Sequence, residues 1–223
     1  MSRLYSNRDR SYDLGHLPTE LLPRDRLAAS LDAAQPTDAN TAEASSIHDA
    51  IPEYRALFAK YLDGTPAVSR APVPDDPYLR ACNLKATAHF LDSTIAGVCS
   101  IAASDWLGEE SPTHTYAFVF LIEFGREPAA GESGDAWIRG TNAARTDLRC
   151  AEAAVVLSGY LRALGWSARG HVAGDSLVAI ERLAQRAGVV KAVDGVLAMP
   201  FIKSGFRIGV VTTDYVMTTD API

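Results

Sequence analysis

A chain of 223 residues that is 48% apolar and 22% charged can bury a real hydrophobic core and is not of a disordered composition. Its formal net charge of −6 argues against non-specific nucleic-acid binding, which needs a basic field, and no Lys/Arg run offers a patch for an anionic membrane. No apolar run approaches the ~20 residues of a membrane span, and Met1 to Asp13 lacks the apolar stretch of a signal peptide, so the expected compartment is the cytoplasm.

Residues 1–27 mix charges with Leu14, Leu17, Leu21 and Leu22, and read as an arm that crosses a surface and buries a few leucines. Residues 28–46 are small and polar and read as a flexible linker, which leaves 47–223 as the folded domain. A helix is predicted from Ile47 to Leu62, with Tyr54, Leu57, Phe58, Tyr61 and Leu62 on its inner face. After a Pro-rich loop, Asp76-Pro77 has the form of an N-cap followed by a first helical residue. The helix it opens would turn Leu79, Cys82, Ala86, His89 and Phe90 inward.

Ile95 to Ala102 reads as a buried strand in which Gly97 permits close backbone approach. Thr115 to Phe124 is β-branched, aromatic or aliphatic almost throughout, as a central strand requires. Thr141 to Leu164 carries an apolar face wide enough for the central buried helix, ended by Gly165. Ser167 to Val172 is a short strand, Asp175 is expected to cap a helix through Gln185, and Val196–Met199 and Phe206–Thr212 are the last β segments. The sum is an α+β sandwich, one sheet with helices packed on it.

Three stretches carry a family resemblance. Tyr12-DLGHLPTELLPR, Asn83-LKATAHFLDSTIAGVCSI and the last seventy residues, above all Tyr160-LRALGWSARGH and Val211-TTDYVMTTDAPI, resemble in order and spacing the corrinoid-binding module of reductive dehalogenases of the soluble type. The resemblance implies a nitroreductase-like fold with a mixed or antiparallel central sheet, a cobalamin-type cofactor, and reductive removal of halide from a small organohalide. In that family a cysteine-rich segment binding two iron–sulfur clusters follows the "TD…D-P" stretch. This chain has Cys82, Cys99 and Cys150 only, too few and too dispersed for a four-thiolate cluster. Electrons would therefore come from an iron–sulfur protein or from a continuation of the same polypeptide. In the soluble type, an N-terminal half is thought to be a duplicated cobalamin module that no longer binds cofactor, and the resemblance admits such a half as the alternative to the corrinoid-pocket reading.

Candidate cofactor-binding residues follow from the resemblance. Arg207, Thr212 and Thr213 would hold the amide arms and phosphate tail of a corrinoid; Lys203, beside Ser204 and Gly205, would face the pocket mouth; Gly170 and His171 would let a flat macrocycle approach the backbone or meet it through an imidazole. The plain alternatives are an Arg207 paired with Asp214 or Glu181, a structural His171, and glycines that serve turns. His89 reads as a hydrogen-bonded core residue, His114 and Tyr116 stand at the entrance to the central strand, and no pair of His, Asp or Glu has metal-site spacing. No catalytic tyrosine or nucleophile can be placed, and Cys99, inside an apolar strand, should be inert.

Three functions compete: a corrinoid module that depends on iron–sulfur electrons from elsewhere, a non-catalytic structural module whose cleft its own side chains fill (Trp137, Trp166 or the arm), and a flavin nitroreductase with FMN held by Arg8, Arg10, Ser6 and Ser11.

Overall fold

The computed structural model describes residues 47–108, 113–202 and 204–223. The arm and linker of 1–46 and the candidate Lys203 lie outside the described residues.

Four strands form one antiparallel sheet in the order β1-β2-β6-β3: β1 is Ile95–Ser100, β2 is Tyr116–Glu123, β3 is Ala168–His171 and β6 is Phe206–Thr213. Because side chains alternate along a strand, β2 divides its apolar residues between two cores. Phe118, Phe120 and Ile122 point into one layer, and Ala117, Val119 and Leu121 into the other. A strand buried on both faces needs an unbroken apolar run, which is what Tyr116–Glu123 supplies.

The first layer is built by helices α1 (Ile51–Ala59), α2 (Pro77–Phe90) and α3 (Asn142–Ala163). Helix α3 meets the sheet with Cys150, Ala151, Ala154, Leu157, Ser158 and Leu161, so its small residues bring its axis close to β3 and β6. The second layer is built by α4 (Ile180–Arg186), through Ile180, Leu183 and Ala184, and by Ala187, Val189, Val190, Met199 and Ile202. A small hairpin, β4 (Lys191–Val193) and β5 (Val196–Ala198), stands between α4 and β6.

Both sheet edges are covered, which removes unpaired ladder groups that would otherwise recruit another strand. Along β1, the Asp220 amide donates to the Val98 carbonyl at 2.8 Å, the Val98 amide donates to the Asp220 carboxylate at 2.8 Å, and Lys85 holds the other carboxylate oxygen at 2.9 Å. Along β3, the Gly170 amide donates to the Leu62 carbonyl at 2.7 Å, and the Arg162 guanidinium ties the carbonyls of Tyr61, Leu62 and Ala168 together.

Several sequence expectations hold locally. The Asp76 side chain accepts from the Tyr78 amide at 2.9 Å with Pro77 as first helical residue, and α3 runs between Thr141 and Leu164 as its caps. Others need correction. The helix expected from Ile47 to Leu62 is α helical only over α1; Tyr54, Leu57 and, past its end, Tyr61 face outward, while Ile51 and, past its end, Leu62 are buried. In α2, Leu79 and Phe90 are exposed while Ala81, Leu84 and Ala88 pack inward, because the small side chains allow the closer approach. Helix α4 starts at Ile180, not near Asp175; Asp175 instead closes a turn with Val172, and its carboxylate takes Arg55 at 3.0 Å. The turn Asp194-Gly195, both residues at positive φ, is the two-residue hairpin signal that joins β4 to β5.

Gly97 is the tightest contact of the second layer. A Cβ there would lie 2.3 Å from the Ala187 carbonyl oxygen, a backbone atom at the end of α4. Gly97→Ala should therefore destabilise the domain by about 1–3 kcal/mol or more, read as a lower urea midpoint with an unchanged slope.

Candidate functional site

The sheet centre holds a polar chain enclosed in apolar surroundings. Thr212, near the end of β6, is fully buried, and its hydroxyl lies 2.8 Å from His114 Nδ1 and 2.9 Å from His171 Nε2. The far nitrogen of each ring is also used. The Leu177 amide donates to His171 Nδ1 at 3.2 Å, and His114 Nε2 meets Ser167 Oγ at 2.8 Å. An amide can only donate, so His171 Nδ1 is an acceptor and the neutral ring carries its proton on Nε2. That proton goes to Thr212; the Thr212 hydroxyl then donates to His114 Nδ1, and His114 Nε2–H donates to Ser167. Every member is satisfied in one direction.

Burial holds both imidazoles neutral. It pushes His171 down to about 3, with Arg169 and His114 acting in the same sense. It also lowers His114, against the opposing pull of Asp214 and Asp63. The indole of Trp106 packs over both rings, with centroids 6.4 Å from His114 and 6.3 Å from His171. Trp106 is fixed by its neighbour Asp105, whose buried carboxylate accepts from Arg186 through both oxygens and from the Ala102 amide at 2.8 Å, with Arg182 at 3.6 Å. Thr213, the next residue of β6, donates to the Ser167 carbonyl at 2.6 Å and accepts from the Tyr215 amide at 3.1 Å.

No protein-family model matches the chain, and no curated protein does. Solved structures do. The catabolic reductive dehalogenase NpRdhA is 49% identical, with a TM-score of 0.83, over 99% of this chain and 32% of that one. Its complex with 3-bromo-4-hydroxybenzoic acid is 50% identical, with a TM-score of 0.82, over 99% and 31% of the two chains. The chain belongs to the reductive dehalogenase family. It spans about a third of the length of these solved relatives. A more distant epoxyqueuosine reductase, 13% identical with a TM-score of 0.50 over 66% of this chain and 49% of that one, shares the fold.

Within this reductive dehalogenase module, the candidate cofactor residues fall into two places. His171 and Thr212 touch each other, with Gly170 and Thr213 beside them, because β3 and β6 pair Ala168 with Thr213 and Gly170 with Val211. All four are buried. The space that a glycine leaves at 170 is already taken: a Cβ there would lie 2.7 Å from Leu62 Cδ2 and 3.1 Å from Ala154 Cβ. Arg207 lies five residues back along β6, about 16 Å away along the strand. Its Nε donates to Asp147 at 2.9 Å rather than to Asp214 or Glu181, and its guanidinium covers the Phe124 ring. It lines a surface cavity of about 380 Å³ together with His48, Ile51, Pro52, Arg55 and Asp147.

Gly165 and Gly174, at positive φ, serve turns. The cysteines are set apart: Cys99 faces the α4 layer and Cys150 the α3 layer, and burial pushes the Cys99 thiol up to about 12 and Cys150 higher still. Among the described residues, no group of three or more His, Cys, Asp or Glu is arranged to hold a metal ion, and no helix is long and apolar enough to cross a membrane. Sequence reasoning named His114 without a partner and missed Asp105, Ser167 and Arg186. Their partners lie 53 to 98 residues away, beyond any local pattern.

Two outcomes follow. Asp105→Asn should cost about 1–3 kcal/mol in chemical denaturation, because the buried carboxylate loses its charge-assisted bonds to Arg186 and the Ala102 amide, while Arg186 and Arg182, 33% and 55% exposed, can turn to water. For His171, folding lowers the pKa, so its contribution is complete above about pH 6.5 and is lost as pH falls toward about 3, and His114, also lowered by burial, acts in the same direction. Stability measured across that window should fall by up to about 1.4 kcal/mol per pH unit for each such group, and a denaturation series that is flat from neutral to acid pH would contradict this.

Proposed function

We propose that this chain acts as a non-catalytic structural module of a reductive dehalogenase, a domain of corrinoid-binding ancestry whose central cleft is filled by its own side chains. In this reading cobalamin, iron–sulfur clusters and organohalide are handled by the remainder of such an enzyme, either a continuation of the polypeptide or a separate iron–sulfur protein. The module contributes a rigid surface against which that remainder packs, and the isolated chain removes no halide.

The observation that carries this reading is the fate of Thr212, Thr213 and Gly170. Both hydroxyls are spent on protein partners, and the glycine cradle is occupied by Leu62 and Ala154. The cavity beside Arg207, about 380 Å³, and the one beside Tyr215, about 120 Å³, sit at or below the lower end of ordinary small-molecule sites, and a corrinoid is larger than most such ligands. Three cysteines fall short of the four that a conventional cluster takes.

A second reading, that the module itself carries cobalamin, draws on the relative at 49% identity reported as suggesting a mechanism for B12-dependent dehalogenation. Arg207, on the wall of the larger cavity, would then hold an amide arm or the phosphate tail, and a bound cobalamin would supply low-valent cobalt chemistry. The Thr212 hydroxyl does not fit that role, since recruiting it would leave one nitrogen of each buried imidazole without its partner, and the Thr213 hydroxyl is taken by the Ser167 carbonyl and the Tyr215 amide.

Reconstitution separates the two. After refolding with excess cobalamin and desalting, the structural reading expects a colourless protein with no corrinoid absorption. Retention of about one corrinoid per chain would overturn it and favour the second.

A further inference from the structure

The two buried imidazoles are not equivalent in how they could accept a proton. If His114 takes one at Nδ1, the Thr212 hydroxyl can rotate its hydrogen away and accept from both rings, so the chain survives with one bond reversed. His171 has no such escape. Its Nε2 already carries a hydrogen, so protonation must occur at Nδ1, and Nδ1 is the acceptor for the Leu177 amide. A backbone N–H cannot reverse, so a proton on His171 sets two donors against each other at a contact of 3.2 Å.

Leu177 is not an isolated contact. Its carbonyl accepts from the Leu107 amide at 2.9 Å, Val178 pairs with Trp106 in an antiparallel bridge, and the Ala179 amide donates to the Asp105 carbonyl at 2.8 Å. The segments 105–107 and 175–179 therefore form a two-ply strap across one end of β3 and β6, with the Trp106 indole over the two histidines. The strap is anchored to α4 by Asp105 with Arg186 and Arg182, and to α1 by Asp175 with Arg55.

We infer that this strap is a proton-operated latch, closed while His171 is neutral and released from the sheet when His171 is protonated at Nδ1. The charged groups around the ring frame the device. From the 61–64 loop, Asp63 favours protonation of both rings, and Asp214, beyond β6, favours that of His114. Arg169 on β3 opposes both, and a charge on one imidazole opposes a charge on the other. Release would uncover the Trp106 indole and the buried end of β6, giving the module an apolar surface that it lacks when the latch is closed.

Amide hydrogen exchange resolved by residue tests this. If opening returns His171 to an ordinary histidine pKa near 6.5, the opening equilibrium at Leu177 and Leu107, corrected for intrinsic exchange, should rise about a hundredfold between about pH 7.5 and about pH 4.5. Amides of β2, such as Val119, exchange through global unfolding and carry the same acid dependence, so the latch is distinguished by Leu177 and Leu107 opening at a lower free energy than β2 throughout the window. In His171→Asn, whose carboxamide oxygen can accept from Leu177 and whose side chain takes up no proton in this range, the acid-driven rise should vanish; in His114→Asn it should persist. The inference is overturned if the wild-type Leu177 and Leu107 amides show no acid-driven rise, if they open with the same equilibrium constant as β2 at every pH, as in global unfolding, or if His171→Asn opens as the wild type does. The wild-type profile decides the matter even if either variant fails to fold.

Discussion

A threonine hydroxyl held between two neutral imidazoles is the constraint on which this structure turns. A buried polar atom without a partner costs on the order of 1–3 kcal/mol, and Thr212, His114 and His171 bring five such atoms into one enclosed volume. They are tolerated because β3, β6, Ser167 before β3 and Leu177 after it satisfy each of them in a single consistent direction. The same arrangement that makes the centre stable makes it unavailable. A ligand that borrowed the Thr212 hydroxyl would leave an imidazole nitrogen unpaired, which is why a polar sheet centre here reads as architecture rather than as a binding site.

The surrounding fold enforces closure from every side. Helix α3 lays alanines against β3 and β6 closely enough to fill the space above Gly170, and the α4 layer packs an Ala187 carbonyl against Gly97 on the opposite face. Asp220 seals one edge of the sheet and Arg162 with the 61–64 loop seals the other. The chain belongs to the reductive dehalogenase family and spans about a third of its solved relatives' length, and the proposed reading makes this closed body a rigid neighbour for the rest of such an enzyme.

How much of this the sequence discloses depends on the range of the interaction. Elements with local causes were legible: the apolar run of β2, the broad face of α3, the Asp76-Pro77 cap and the stop at Gly165. The faces of α1 and α2 were not, because the pattern draws the eye to large residues. Tyr54, Leu57, Leu79 and Phe90 look like core, yet Ala81 and Ala88 are what the sheet accepts at close range. The start of α4 was displaced for a similar reason. Asp175 has the form of a cap but is engaged by Arg55, 120 residues away. The family resemblance located β3 and β6 as the place that matters, and it named Thr212 and His171; it could not reveal that they bond to each other and to His114, since that follows only from strand register. Asp105 is the extreme case, an acidic residue in an unremarkable loop whose meaning lies in two arginines of α4.

Imidazole nitrogen-15 spectra of His114 and His171, recorded at neutral pH with and without excess cobalamin, test the claim of a closed and self-satisfied centre most directly. The account predicts two neutral rings, His171 with its proton on Nε2 and an accepting Nδ1, and shifts that cobalamin leaves unchanged. A charged ring, a His171 protonated on Nδ1, or resonances that move when the corrinoid is added would contradict it.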